Sequence, residues 1–92
     1  MVKKTFIITS ELGVQARPAA QLVNLASQFS ANISIEYKGK NVNLKSIMGV
    51  MSLAVVEGSE ITITAEGKDE QEALQQIEVL IEEEIGGALL GN

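Results

Sequence analysis

The sequence predicts an α/β (α+β) fold, an open-faced sandwich in which a four-stranded antiparallel sheet is covered on one face by three helices, in the order βαββαβα. Its 92 residues suffice for one domain. Four segments alternate apolar and polar residues, and three others place apolar residues at helical spacing. Each alternating strand has one apolar face, and three helices are enough to cover the face that the strands share.

The first strand and the first helix follow one another near the start of the chain. Residues 5–9 alternate and are rich in β-branched side chains, and Glu11 and Gly13 end this strand. From Ala16 the apolar residues follow a helical period, with Pro18 in the first turn, where a missing N–H costs little. The apolar positions of this helix are Ala19, Leu22, Val23, Ala26 and Phe29.

The middle of the chain predicts a hairpin and a short helix. Residues 32–37 alternate, and the turn Lys38-Gly39 leads into a second strand at 40–43. Ser46 is a good N-cap residue for a short helix that runs to Leu53.

The last third predicts a fourth strand and a long final helix. Residues 61–66 alternate, and Asp69 with Glu72 resembles a capping box ahead of an apolar stripe that reaches Ile85. Gly86-Gly87 closes the helix, so we expect one domain over residues 1–86 and a short tail, 87–92, to which the sequence assigns no role. The uncovered face of the sheet should carry hydroxyl side chains: Ser34, Thr62 and Thr64.

Composition and charge exclude several functional classes. The chain has no cysteine and no histidine, which excludes disulfides, thiolate nucleophiles, Cys/His zinc sites and imidazole chemistry. Residues 1–45 carry six basic and two acidic side chains, whereas residues 46–92 carry one basic and ten acidic. The chain as a whole is therefore acidic, which is the opposite of the charge balance that a nucleic-acid binder needs. Glu82, Glu83 and Glu84 follow one another on a helix and do not converge, so we predict no metal site and no cofactor. With no signal-peptide core or membrane-spanning run, we expect a soluble cytoplasmic protein. Because most familiar catalytic constellations are excluded, we also expect that it is not an enzyme.

The first candidate site is the start of the first helix. Arg17, the chain's single arginine, stands beside Pro18 there. A helix start presents unpaired N–H groups and a partial positive charge, and a guanidinium adds a forked donor for an anion. The alternative, that Arg17 is simply a solvated side chain, is equally compatible with the sequence.

The second candidate site is the short helix. Its apolar residues point in nearly every direction, so some remain exposed, and methionines suit an adaptable partner surface. Ser46, preceded by Lys45, lies at the positive end of this helix, where a phosphate would add charge without unfolding it. The alternatives are that loops cover the patch and that Ser46 is only a cap.

Both candidate sites resemble motifs of one known family. Gly13-Val14-Gln15-Ala16-Arg17-Pro18-Ala19 resembles the active-site signature of HPr, the phosphocarrier of the bacterial sugar phosphotransferase system, except that the family has His where this chain has Gln15. Residues 45–53, Lys-Ser-Ile-Met-Gly-Val-Met-Ser-Leu, resemble the family's regulatory serine segment in Gram-positive bacteria. The order of elements is that of an HPr-like fold, over about residues 2–85.

The resemblance implies a regulator rather than a phosphocarrier. The family's His accepts phosphate from Enzyme I, whereas the amide nitrogen of Gln15 is delocalised and is not a useful nucleophile. The resemblance implies phosphorylation of Ser46 by HPr kinase/phosphorylase and action of the phosphoprotein as a corepressor of CcpA, with DNA contacted by CcpA alone. The residues implied for partner binding are Gln15, Arg17, Lys45, Ile47, Met48 and Met51.

Two other interpretations stay open. The chain is an ordinary HPr whose His was deliberately replaced by Gln, or it is a binding module that regulates a metabolic enzyme while unphosphorylated. Opposite dependence on Ser46 phosphorylation separates the second interpretation from the corepressor. We expect a monomer or weak homodimer, in which exchange of the first strand between subunits is conceivable because this strand begins so close to the chain start.

Overall fold

The computed structural model describes residues 1–91, and its elements follow the predicted order with one strand added at the end. The elements are β1 (Val2–Ile8), α1 (Ala16–Ala26), β2 (Asn32–Tyr37), β3 (Lys40–Asn43), α2 (Ile47–Ser52), β4 (Glu60–Glu66), α3 (Glu70–Leu80), a π-helical turn (Ile81–Ile85) and β5 (Gly87–Gly91).

The strands form one antiparallel sheet in the order β3-β2-β4-β1-β5, with helices on one face. The register places Ser34 opposite Thr64, and Thr62 opposite Thr5, whose hydroxyl lies 3.1 Å from that of Thr62. These partly exposed hydroxyl residues lie on the face away from the core, as predicted. The open-faced sandwich is therefore confirmed.

The prediction of four strands was wrong by one, because Gly87–Gly91 forms β5. This segment belongs to the residues that the sequence left as a tail, of which Asn92 lies outside the described residues. It pairs antiparallel with β1, with Ile8 opposite Gly87, Ile7 opposite Ala88 and Phe6 opposite Leu89. Backbone pairing of this kind requires no apolar alternation, so the sequence pattern does not reveal it.

The predicted capping box at the start of α3 is not formed. Asp69 makes no side-chain hydrogen bond to the helix that it precedes. Its carboxylate accepts hydrogen bonds from the backbone N–H groups of Ser30 and Ala31, both at 2.9 Å. Glu70 instead accepts from the N–H of Gly67 at 3.0 Å. Asp69 therefore holds the loop before β2, a contact 38 or 39 residues away in sequence.

The core lies between the sheet and the three helices and is mainly aliphatic. Among residues 1–91 no polar or charged residue is buried. The largest fully buried side chains come from every part of the chain and are Phe6, Ile8, Leu22, Ile35, Leu44, Val50, Ile61, Ile63, Ile77 and Ile81. Within the same range, no helix has the length and apolar character needed to cross a membrane.

Candidate functional site

The loop before α1 is held against the loop that follows α2. The N–H of Val14 donates to the carbonyl of Val55 at 3.1 Å. Gly13 is buried, has φ +66°, and lies so close that a Cβ there would come within 2.3 Å of the Val55 oxygen. Only glycine meets both conditions without strain. This close approach fixes the position from which α1 begins.

Gln15 and Arg17 lie together at the start of α1, in a surface depression of about 310 Å³. Both side chains are exposed, and Gln15 makes no capping hydrogen bond to the helix. Among residues 1–91, Arg17 forms no ion pair. Gln15 and Arg17, both predicted to bind a partner, therefore lie side by side and are accessible to one.

Glu84 also lines this depression, together with Ile85 from the end of the π-helical turn. The sequence places Glu84 on a helix with Glu82 and Glu83 and does not connect it with Arg17. No local signal links them, because 67 positions separate the two residues in the sequence. One cation and one carboxylate share the depression, which makes it less attractive to an anion than Arg17 alone would be.

Two contacts show that α1 and α2 run in roughly opposite directions. The Val14–Val55 hydrogen bond joins the start of α1 to the segment after α2. At the other end, the Lys45 ammonium donates to the carbonyl of Phe29, just after α1, at 2.7 Å. Lys45 is thus half-buried and engaged with the protein's own backbone, apart from the exposed residues of α2.

Ser46 caps α2 as predicted. Its backbone is extended, and its Oγ accepts a hydrogen bond from the N–H of Gly49 at 3.1 Å. The first turn of α2 contains no acidic residue, so nothing there repels an added negative charge. A phosphate on Ser46 would lie roughly 9 Å, the length of six helical residues, from the end of α2 that adjoins the start of α1.

The exposed apolar patch predicted on α2 is present. Val50 is buried, whereas Met48 is 78% exposed and Met51 44% exposed, with Ile47 at the boundary. Leu12 and Val56, which are not among the residues predicted for partner binding, are also exposed, by 70% and 58%. They stand next to Gly13 and Val55, which are in contact, so they extend the apolar surface beside Gln15. The only sign of this exposure in the sequence is that both are apolar residues in turn segments.

The surface formed by these residues is suited to recognition rather than to covalent chemistry. It offers an exposed cation, an uncharged amide, flexible apolar side chains and a hydroxyl at a helix start. No group of side chains within residues 1–91 is arranged to hold a metal ion. A partner with a small apolar groove and basic residues for a phosphate would match it.

Comparison with known proteins shows that the chain is similar to HPr proteins. The model of the PTS HPr component phosphorylation site matches residues 2–83. The crystal structure of HPr-C-His from Thermoanaerobacter tengcongensis is 48% identical, with a TM-score of 0.85 over 89% of this chain and 92% of that one. HPr from Bacillus anthracis is 51% identical, with a TM-score of 0.81 over 87% and 95%.

The chain is also similar to Crh, the catabolite repression protein of Bacillus subtilis. The crystal structure of Crh is 49% identical, with a TM-score of 0.72 over 85% of this chain and 90% of that one. That protein is described as a dimer with a swapped domain.

Proposed function

Because this chain belongs to the HPr family, we propose that it is a non-catalytic, Crh-like regulator of carbon catabolite repression. Phosphorylated on Ser46 by HPr kinase/phosphorylase, it acts as a corepressor of CcpA. It does not take part in phosphotransfer from phosphoenolpyruvate. The observation that carries the proposal is the combination of Gln15 at the family's phosphoacceptor position with a complete serine segment that presents its methionines to solvent.

The residue at position 15 excludes the carrier role on chemical grounds. Phosphotransfer needs a nucleophilic nitrogen and a phosphoramidate labile enough to be passed on, and an amide provides neither. Gln15 is well placed to contact a partner, since it is exposed beside Arg17. An uncharged amide there can be covered by a partner at lower cost than a charged group.

The geometry of α2 supports phosphoserine as the switch. A phosphate of about −2 charge stays at the positive end of the helix and can accept a hydrogen bond from the Gly49 N–H, which now donates to the Ser46 hydroxyl. Met48, Met51 and Ile47 then provide the apolar contact, and Arg17 provides a polar contact near the other end of α2. Lys45 is the weakest member of the proposed interface, because its ammonium already binds the Phe29 carbonyl.

The test is intact-mass analysis and phosphosite mapping after two parallel incubations. One contains ATP and HPr kinase/phosphorylase, and the other contains phosphoenolpyruvate and Enzyme I. We expect one phosphate on Ser46 in the first and none in the second. Ser46→Ala should abolish the first reaction, whereas Ser52→Ala, in the same helix, should leave it intact. Phosphate acquired in the second incubation would contradict the role given to Gln15.

Gln15→His is the sharper variant. The helix start and Arg17 are already in place, so the imidazole should restore phosphate acceptance from phosphoenolpyruvate through Enzyme I. The Ser46 reaction should be unchanged.

Binding to CcpA separates the corepressor from a module that acts while unphosphorylated. Phosphorylated chain should bind CcpA at least tenfold more tightly than unmodified chain, as measured by calorimetry. Ser46→Asp should strengthen binding only weakly, because a carboxylate has fewer acceptor oxygens and less charge than a phosphate. Tighter binding by the unmodified chain would favour the alternative module.

A further inference from the structure

β1 can leave the rest of the fold without any other element having to move through the chain, because it is a terminal element. It is the first element of the chain, it lies between β4 and β5, and a single link over residues 9–15 joins it to α1. Its side chains Phe6 and Ile8 are fully buried in the core. If β1 left its place, a second copy could fill the gap with its own β1 and restore the same core contacts.

The two halves of β1 are held in different ways. Around its N-terminal half, the Met1 ammonium lies 3.1 Å from Glu70, and Lys4 is paired with Glu78, so the ion pairs that α3 makes with this half are partly exposed. The C-terminal half, residues 5–8, has β5 along its outer edge. The link is held too, since the N–H groups of Thr9 and Ser10 both donate to the Gly86 carbonyl, at 2.9 and 3.2 Å.

Gly86 and Gly87 allow the chain to return to β1 after α3. Gly86 has φ +101°, and a Cβ there would lie 2.9 Å from the Ser10 Cβ. A Cβ on Gly87 would lie 2.6 Å from Ile81 and 3.1 Å from the Ile7 carbonyl. Larger residues at these two positions would push β5 away from β1.

We propose that Gly86 and β5 act as a clamp that keeps β1 in its own chain and opposes its exchange with a second copy. The proposal concerns assembly and is independent of Ser46 and CcpA.

The clamp acts through contacts that exchange would break. A dimer with exchanged β1 strands keeps the β1–β4 pairing, so the difference from the monomer lies mainly in the link. Extending the link removes the Thr9 and Ser10 hydrogen bonds to Gly86, which favours the monomer. In addition, β1 must separate from two neighbouring strands instead of one, so β5 also slows the exchange.

The first test compares the full chain with a chain truncated after Gly87, by amide hydrogen exchange. The informative amides are those of β4 that donate to β1, because they are exposed only when β1 detaches. We expect them to exchange at least tenfold faster after truncation, while the β4 amides that donate to β2 keep their protection and show that the fold persists. Unchanged exchange of the β1-facing amides would overturn the proposal.

The second test measures exchange between subunits. Equal amounts of ¹⁵N-labelled and unlabelled chain are mixed and followed by native mass spectrometry. We expect mixed dimers to form at least tenfold faster with the truncated chain than with the full chain. A truncated chain that forms mixed dimers no faster than the full chain would overturn the proposed opposition to exchange.

Two full-length variants complete the design. Ile7→Cys with Ala88→Cys places a disulfide across opposed residues of β1 and β5, and the chain has no other cysteine. The oxidised form should suppress mixed dimers, and its reduction should restore the rate of the full chain. Leu90→Ser changes a half-exposed β5 side chain without removing the strand, so it should behave as the full chain does. If Leu90→Ser forms mixed dimers as fast as the truncated chain does, the pairing of β5 with β1 is not what slows the exchange.

Discussion

The N-terminal ends of α1 and α3 satisfy their polar groups in opposite ways. At α3, Asp69 accepts two backbone hydrogen bonds from the loop before β2, and Glu70 binds the Gly67 N–H and the chain's own N-terminus. At α1, Gln15 makes no capping hydrogen bond, and Arg17 has no ion pair among residues 1–91. The protein closes one helix start with its own chain and leaves the other open to a partner.

The same difference appears in the electrostatics. The backbone N–H of Ser30 holds the pKa of Asp69 below its ordinary value, with further contributions from Ala31 and the Ser30 hydroxyl. The pKa of Glu70 is lowered mainly by the Gly67 N–H and then by the N-terminus. Charge at the start of α3 therefore contributes to folding, whereas charge at the start of α1 is available for recognition.

The largest loss of stability is expected at Gly13, because one close backbone contact there holds the loop before α1 in place. Gly13→Ala should lower the free energy of unfolding by about 2–4 kcal/mol, because it combines a positive φ with a clash against the Val55 carbonyl. Gly58→Ala is the matched control. It has φ +84° but nothing within 4 Å of the added Cβ, so it should cost only about 1 kcal/mol of backbone strain. Urea unfolding measures both, and equal losses would show that the contact with Val55 is unimportant.

Asp69→Ala should lower Tm by several degrees at pH 7, because two backbone N–H groups lose their acceptor. Since folding lowers the pKa of Asp69, its contribution is present above the ordinary pKa, about 4, and disappears as the pH falls through the lower folded value. The Tm values of the variant and the unaltered chain should therefore converge below about pH 4. A constant difference down to pH 2, measured by calorimetry, would argue against an ionic role.

Lys45→Ala should lower the free energy of unfolding by about 1 kcal/mol, since a charged hydrogen bond to the Phe29 carbonyl is lost. Its effect on CcpA binding should be smaller than that of Arg17→Ala. The reverse order of the two binding effects would show that Lys45 contributes more to the proposed interface than Arg17 does. Chemical denaturation and calorimetric titration of the phosphorylated variants supply the two readouts.

Arg17→Ala and Met51→Ala should have the smallest effects on stability, within about 0.5 kcal/mol, because both side chains are exposed. Each should nevertheless weaken binding of the phosphorylated chain to CcpA by about tenfold or more, as is typical of a residue near the centre of an interface. Glu11→Ala, an exposed change in the preceding turn, serves as the control. A large loss of stability in Arg17→Ala would show that the helix start is not open as described.

Local patterns predicted most of the fold but not its long-range pairings. The alternation of β2 and β4 and the helical period of α1 each lie within a few residues, so the sequence displays them directly. Asp69 was misassigned because its pattern with Glu72 fits a capping box, while its real partners lie near residue 30. The candidate site was predicted through Gln15, Arg17, Ser46 and the methionines. Leu12, Val56 and Glu84 join it only through folding.

By itself, the sequence determined the order β1 to α3, the exposed apolar patch on α2, and the absence of an imidazole at position 15. These follow from residue type and local period, which are properties of short segments. Only the tertiary structure decided that Gly87–Gly91 pairs with β1, that Lys45 is engaged by Phe29, and that Glu84 shares a depression with Arg17. Each of these depends on backbone groups or charges brought together from distant positions, and neither backbone hydrogen bonding nor proximity in space leaves a periodic pattern in the chain.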